Sequence, residues 1–348
     1  MLLRPRIFRD VKHVDTSTTF LGLPSSLPIF ISPAAMARLA HPDGESAIAT
    51  AAGRTGVIQC VSNNASLRPE QISAGRTAPS QPLWFQLYVQ TDRRKSESLL
   101  ARISSADSGY RAVVLTLDAP TPGKREADER VKNTADNITS GASGLGLSSG
   151  EQPSSSGGGL GNALFAGTSP SLTWEDLKWL RAHTHLPIIL KGLQTHEDAL
   201  LAASAESLAL GVRGIILSNH GGRAADTAPP PLLILLEIRR YAPEVLEKLE
   251  VYVDGGIRRG TDVLKALALG ARGVGIGRPA LYSLAGYGAE GVERVLGILR
   301  EEVETGMRLL GVNSLAELGT GHVNTAAIMG EVYREEEKVV VKRVKAKL

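Results

Sequence analysis

Residues 215–223 read Ile-Ile-Leu-Ser-Asn-His-Gly-Gly-Arg, an apolar run that ends abruptly in polar, cationic and glycine residues. A buried strand has this pattern where it opens into a site. His220 can exchange a proton near neutral pH. Arg223 offers a planar fork of donors matched to a carboxylate. Gly221 and Gly222 let the backbone turn tightly and make room for a ligand. A base and an anion clamp this close together suit proton abstraction from a small acid. The same residues on an ordinary surface loop would carry no chemistry, so the decision rests with the elements that hold them.

Those elements alternate along the chain. Strand candidates are Pro28–Ser32, Val57–Val61, Leu83–Val89, Ala112–Leu117, Pro187–Leu190, Gly214–Leu217, Val251–Val253 and Gly273–Ile276. Amphipathic stretches lie between them near Gly44–Arg54, Pro69–Ser73, Arg93–Ala106, Thr173–His183, Thr195–Leu210, Leu232–Tyr241 and Thr261–Leu269, and a last long one covers Gly291–Leu310. Unbroken strand–helix units in this number are the pattern of an α/β fold of the (β/α)₈ TIM-barrel type. An open doubly wound sheet rarely needs so many regular units. At 348 residues, with 4% aromatics and many small aliphatic side chains, a single barrel domain over residues 1–348 accounts for the whole chain. Two stretches fall outside the repeat. Residues 133–168 are rich in Ser and Gly and poor in apolar side chains, so they are expected to be a disordered loop after the fourth strand. Residues 331–348 carry runs of both charge signs and are expected to be a solvated tail.

In such a barrel the carboxyl ends of the strands face the active site. Each end here carries polar groups: Ser32-Pro33-Ala34-Ala35, Ser62-Asn63-Asn64, Gln86 with Tyr88, Thr116 with Asp118, Lys191-Gly192, Ser218 with His220 and Arg223, Asp254 to Arg258, and Gly277-Arg278. Gln86 and Tyr88, like Thr116 and Asp118, sit two apart and so point to one face. The last two ends suggest a phosphate site. Gly255, Gly256 and Gly277 permit close backbone approach, and Arg258 and Arg278 supply charge. Lys191, facing the barrel axis, needs an anionic partner such as a reduced cofactor ring or a substrate group. A Schiff-base lysine would stand in a similar place. Gln86 and Thr116 are placed to hydrogen-bond a heterocycle edge. Asp118 either pairs with His220 and holds its imidazolium or caps a helix before Pro120.

Composition limits the partners. A net charge of +3 spread over both signs does not point to nucleic acid. The single cysteine, Cys60, forbids an intramolecular disulfide and a zinc site built on several thiolates. No metal ligand set stands out. No apolar run is long enough to span a bilayer, and no signal peptide opens the chain. An intracellular protein, cytoplasmic in the simplest case, is therefore expected. A mitochondrial or peroxisomal one is allowed if the start is truncated, since Arg4–Asp10 already looks like mid-domain sequence.

With these residues in view, the chain from about Arg4 to about Leu318 resembles the FMN-dependent α-hydroxy-acid dehydrogenase and oxidase family, which includes cytochrome-type L-lactate dehydrogenases and glycolate oxidases. The motifs are Ser218-Asn219-His220-Gly221-Gly222-Arg223, then Val253-Asp254-Gly255-Gly256-Ile257-Arg258-Arg259-Gly260, then Gly277-Arg278-Pro279. Phe85-Gln86-Leu87-Tyr88-Val89, Leu115-Thr116-Leu117-Asp118 and Arg125-Glu126-Ala127-Asp128 also fit, and residues 282–310 look most like the cytochrome-type lactate dehydrogenases. The resemblance implies FMN as cofactor and oxidation of an L-2-hydroxy acid, L-lactate favoured, to the 2-keto acid. It makes His220 the base, oriented by Asp118, with Arg223 and a second clamp, Arg125, on the substrate carboxylate. Tyr88 would bond the substrate oxygen, and Lys191 would stabilise the anionic reduced flavin. Pro33, Ala34, Ala35, Ser62, Gln86 and Thr116 would hold the flavin, with Ser218 close by. Asp254, Arg258, Gly277 and Arg278 would hold its ribityl phosphate. Oxygen or a cytochrome would take the electrons, and a homotetramer is implied.

Two departures stand out. The family usually has a segment before Arg4 that supplies helices and a carboxylate-binding tyrosine, and a barrel lacking it could instead bind flavin as a pseudoenzyme. Asn64 stands at a pocket position where relatives often carry Trp or Leu, which implies a more polar pocket for the substrate side chain.

Overall fold

The computed structural model describes residues 1–124 and 167–335. Eight parallel strands close into a barrel: β4 (Ile29–Ile31), β5 (Ile58–Val61), β6 (Leu83–Leu87), β7 (Tyr110–Thr116), β8 (Ile188–Leu193), β9 (Val212–Leu217), β10 (Glu250–Asp254) and β11 (Gly273–Ile276). Each pairs with the next in sequence, and β11 returns to β4 through Val274↔Ile29 and Ile276↔Ile31. Every strand expected from the sequence is present, and helices pack around the outside.

The inward-facing residues change character along the barrel axis. Phe30, Ile58, Cys60, Trp84, Ala112, Val114, Ile189, Ile216 and Tyr252 form one buried cluster inside the barrel. The next inward positions at the carboxyl ends, two residues further on, are Ser32, Gln86, Thr116, Lys191, Ser218 and Asp254, all buried. The period of two that packs the floor therefore also aims the polar groups at the mouth. The outward positions join a larger cluster against the helices.

The sequence pattern did not reveal what closes the floor. Short strands β2 (Thr18–Phe20) and β3 (Leu23–Ser25) form a hairpin whose Phe20 enters the barrel. The rings of Phe20, Phe30, Trp84 and Tyr252 meet with centroids 5.4 to 6.3 Å apart. Edge-on and tilted contacts of this kind add to the area they bury. Glu250 fixes the hairpin by accepting the Leu21 N–H at 2.9 Å. Thr18–Phe20 and Leu23–Ser25 lack the apolar run that marks the equally short β4, which is why this plug was missed. A second small pair joins β1 (Leu2–Leu3) at the start of the chain to β12 (Val323–Asn324).

Two expectations need correction. The stretch Thr195–Leu210 is two helices, His196–Ala202 and Ala205–Ala209, because the Ser204 hydroxyl accepts the Ser207 N–H and starts a new one. The last helix begins at Arg278, well before Gly291, and bends at Tyr287 and Gly288, where the backbone leaves the helical region. Of the described tail residues, Glu331, Tyr333, Arg334 and Glu335 are exposed, while Val332 is buried and Glu335 Oε1 lies 3.1 Å from His196 Nε2. Most of the Ser/Gly-rich stretch 133–168, the remainder of the tail and Arg125 lie outside the described residues.

Candidate active site

β9 ends at Leu217, and three successive residues then adopt left-handed backbone angles: His220 (φ 58°), Gly221 (64°) and Gly222 (77°). The glycines take this conformation without cost, whereas a histidine does so only when its surroundings hold it there. Several bonds do. The His220 N–H donates to Ser218 Oγ at 3.1 Å, and Arg278 Nη2 donates to the Gly221 carbonyl at 2.9 Å. The imidazole Nδ1 lies 2.9 Å from Asp118 Oδ1. A carboxylate only accepts, so Nδ1 carries the hydrogen, and in the neutral imidazole Nε2 is the nitrogen with the lone pair. The Tyr88 hydroxyl stands 3.4 Å from that Nε2. Arg223 reaches the same cavity wall. The turn thus delivers a base with a carboxylate behind it and a guanidinium beside it.

Lys191 lies at the centre of the mouth. Its Nζ donates to Ser218 Oγ at 2.9 Å and stands 3.6 Å from Asp254 Oδ2 and 3.9 Å from Asp118 Oδ2. Burial opposes charge on this amine, but Asp254 and Asp118 outweigh it and hold its pKa above the ordinary lysine value. Lys191 is therefore an ammonium at neutral pH, which removes the Schiff-base reading, since that chemistry needs a free amine. Burial likewise opposes ionisation of Asp118. The Lys191 ammonium and the His220 hydrogen bond overcome it and keep this carboxyl below the usual range. The alternative role for Asp118, a helix cap before Pro120, is also excluded, because no helix begins there among the described residues.

Gly192 makes this arrangement possible. Its φ is 103°, and a Cβ built on it would lie 2.5 Å from Asp118 Cβ and 2.8 Å from the Asp118 backbone nitrogen. No side chain fits between Lys191 and Asp118.

Beside these groups opens a cavity of about 640 Å³, a size suited to a cofactor together with a small ligand. Pro33, Ala34, Ala35, Ser62, Asn64, Gln86, Tyr88, Thr116, Lys191, His220, Arg223, Asp254, Gly255, Gly256, Arg258, Gly277 and Arg278 all line it, so the residues singled out from sequence converge on one space. Arg125 lies outside the described residues, Asp118 is buried behind His220, and Ser218 is also off the wall. Ser218 is fully buried behind the wall, where it joins Lys191 to the His220 backbone and does not face a ligand. The sequence reading also passed over Leu281 and Tyr282, which line the cavity from the first turn of the helix that starts at Arg278. Their spacing from Arg278 on that helix was the available signal, and it was masked because the helix was expected to start later.

The wall suits a flavin mononucleotide. Gln86 Nε2 and Thr116 Oγ1 are buried without a protein partner on the cavity wall, as groups waiting for a polar heterocycle edge would be. Gln86 is oriented by its other end, since Gln86 Oε1 accepts the Asn63 N–H at 3.0 Å. The wall also carries Gly255, Gly256 and Arg258 after β10, and Gly277 and Arg278 at a long helix's N-terminus, where backbone N–H groups and two guanidiniums can meet a phosphate. Lys191 supplies the fixed positive charge that an anionic reduced ring would require.

Residues 1–325 match the family model described as FMN-dependent dehydrogenase. The chain is 41% identical over 330 residues to L-lactate dehydrogenase (cytochrome) of Wickerhamomyces anomalus, covering 94% of this chain and 55% of that protein. It is 43% identical to glycolate oxidase 5 of Oryza sativa subsp. japonica, covering 94% of this chain and 85% of the other. The recombinant flavin-binding domain of baker's yeast flavocytochrome b2 superposes with a TM-score of 0.80 at 38% identity, covering all of this chain and 81% of that one. The chain thus spans about half the length of the lactate dehydrogenase it matches. Fold, cavity and likeness agree: the chain belongs to the FMN-dependent dehydrogenase family, and its cofactor is FMN.

Proposed function

We propose that this protein oxidises a small L-2-hydroxy acid, L-lactate foremost, to the corresponding 2-keto acid. The observation that carries the reading is the Tyr88–His220–Asp118 line at the edge of a cavity that also presents Arg223 and Lys191. Arg223 binds the substrate carboxylate and so fixes which face of the 2-carbon is offered. His220 Nε2 removes a proton from the bound acid. The resulting imidazolium is held by Asp118, which stays ionised throughout because Lys191 lies behind it. Tyr88, within reach of Nε2, hydrogen-bonds the substrate oxygen as it becomes a carbonyl. FMN, when bound, would supply the two-electron acceptor, and the Lys191 ammonium would offer positive charge beside it, with oxygen or a cytochrome as the final acceptor.

The choice of lactate rests on the lactate dehydrogenase likeness and on the small size of the acid. Asn64 sharpens the choice. It is buried on the cavity wall and its Oδ1 accepts from Asn63 Nδ2 at 3.0 Å, so this part of the pocket favours a short or hydrogen-bonding side chain over a bulky apolar one.

The test is the visible spectrum of the FMN-loaded protein before and after anaerobic L-lactate, with glycolate and mandelate in parallel. Rapid bleaching by lactate is expected. The His220→Gln variant should keep the flavin spectrum and bleach about 10²- to 10⁴-fold more slowly. A yellow protein that none of the three acids bleaches would refute the reading.

A further inference from the structure

We propose that Glu45 is a positioning residue that fixes the cofactor-facing ends of β4 and β5 through one buried carboxylate. The proposal rests on the flavin reading above and adds to it a residue that touches neither cofactor nor substrate.

Glu45 is the second residue of the helix Gly44–Thr55 and is 1% exposed. Its place in the first turn suits a negative charge. One oxygen, Oε1, accepts two backbone N–H groups from different loops, Ala37 at 2.8 Å and Ser66 at 2.9 Å. Its backbone carbonyl accepts Gln59 Nε2 from β5 at 3.2 Å. Two more bonds continue the stitching on either side. The Met36 N–H donates to the Asn64 carbonyl at 3.1 Å, and the Arg38 N–H to Ser66 Oγ at 3.1 Å.

The two stitched segments are those that face the ligand. Pro33, Ala34 and Ala35 line the large cavity from one, and Ser62 and Asn64 from the other. Both segments follow short barrel strands that end before the ligand-facing residues, so the barrel ladder itself does not hold them. Glu45 adds to the Met36–Asn64 and Arg38–Ser66 bonds a tie that holds both segments on one oxygen. Removing it leaves two buried N–H groups without an acceptor, and the loops relax to satisfy them.

A small cavity of about 10 Å³ adjoins the carboxylate and is lined by Ala34, Glu45, Gln59, Ser62 and Gly277. Glu45 Oε2 and Gln59 Oε1 are both buried without a protein partner. The volume and the pair of acceptors match one water molecule. A glutamine at this position would keep one accepting oxygen for Ala37 and Ser66 and turn its amide toward that space.

The experiment is titration of FMN with apo-protein, read by quenching of flavin fluorescence, alongside thermal melting of each apo-protein. The Glu45→Ala variant should raise the FMN Kd at least about tenfold, whereas Glu45→Gln should stay within about threefold of wild type. Ile103→Ala, in the outer core at the end of the helix Arg93–Ile103, serves as a control for general destabilisation and should leave the Kd unchanged at a similar loss of Tm. If Glu45→Ala does not fold, Glu45→Asp decides, since it keeps the charge but withdraws the oxygen by one methylene and should weaken FMN binding where glutamine does not. The proposal is overturned if Glu45→Ala binds FMN like wild type. It is equally overturned if aspartate and glutamine both do so, or if Ile103→Ala weakens FMN as much at equal Tm loss. A wild-type chain that fails to bind FMN would instead sink the flavin reading and this proposal with it.

Discussion

Replacing Asp118 by Asn removes one charge from the site at nearly constant shape. The wild-type carboxylate accepts from His220 Nδ1 at 2.9 Å and stands 3.9 Å from the Lys191 ammonium, with its side chain fully buried. An asparagine oxygen can still accept from neutral His220, so ground-state geometry should survive. The loss falls on the state in which His220 has taken the substrate proton, because that imidazolium then lacks its counter-charge. Breaking a buried ion pair from one side costs about 3–5 kcal/mol. At about 1.4 kcal/mol per tenfold, this predicts a fall in the rate of flavin reduction of about 10²- to 10⁴-fold. The assay is anaerobic stopped-flow reduction of the FMN-loaded Asp118→Asn variant by L-lactate, followed at the flavin band. KM should move little, since Arg223 is untouched and binds the same carboxylate. The flavin spectrum should remain normal. A reduction rate within about tenfold of wild type would refute the argument, because the carboxylate would then not be stabilising the protonated base. A large rise in KM with an unchanged limiting rate would refute it too, placing Asp118 in binding.

Other consequences follow from the same cluster. Lys191→Met leaves Asp118 and Asp254 buried without their shared cation, so the apo-protein should melt roughly 10 °C lower. An unchanged Tm would show that the three charges are not coupled. Gly192→Ala places a Cβ 2.5 Å from Asp118 Cβ at a residue with φ 103°, so lactate-driven bleaching should be lost together with some stability, while normal turnover would contradict the contact. Acid stability should change as well. Asp118 has a lowered carboxyl pKa in the folded chain, so the unfolded chain takes up its proton first, and the stability it contributes is lost as pH falls below about 4. Denaturant melts at stepped pH should therefore show a shallower acid limb for Asp118→Asn than for wild type, and identical limbs would contradict the shift.

The fold was legible because its signal repeats. Eight apolar runs with amphipathic stretches between them give a barrel, and the alternation within each run places Gln86 with Tyr88 and Thr116 with Asp118 on the inner face without reference to any contact. The residue types at the strand ends also narrowed the chemistry, since a histidine and an arginine on one turn suit proton abstraction from an acid, while the lysine on another strand left a Schiff base open. Where the signal is missing, the sequence was silent. The β2–β3 hairpin that plugs the floor carries no apolar run, and the early start of the helix at Arg278 is hidden by Gly286 and Gly288.

Tertiary structure decided what depends on distance through space. Lys191 could have been a nucleophile or a fixed cation, and only its closeness to Asp254 and Asp118 makes it the cation. Ser218 could have faced the cofactor, and only its position behind the wall makes it a brace for Lys191 and His220. Glu45 stands in a helix's first turn, and only the packing that brings the Ala37 and Ser66 N–H groups onto one of its oxygens makes it a tie between loops. Sequence fixes side-chain direction through the period of each element. Hydrogen bonds between elements far apart in the chain depend on the packing that brings them together.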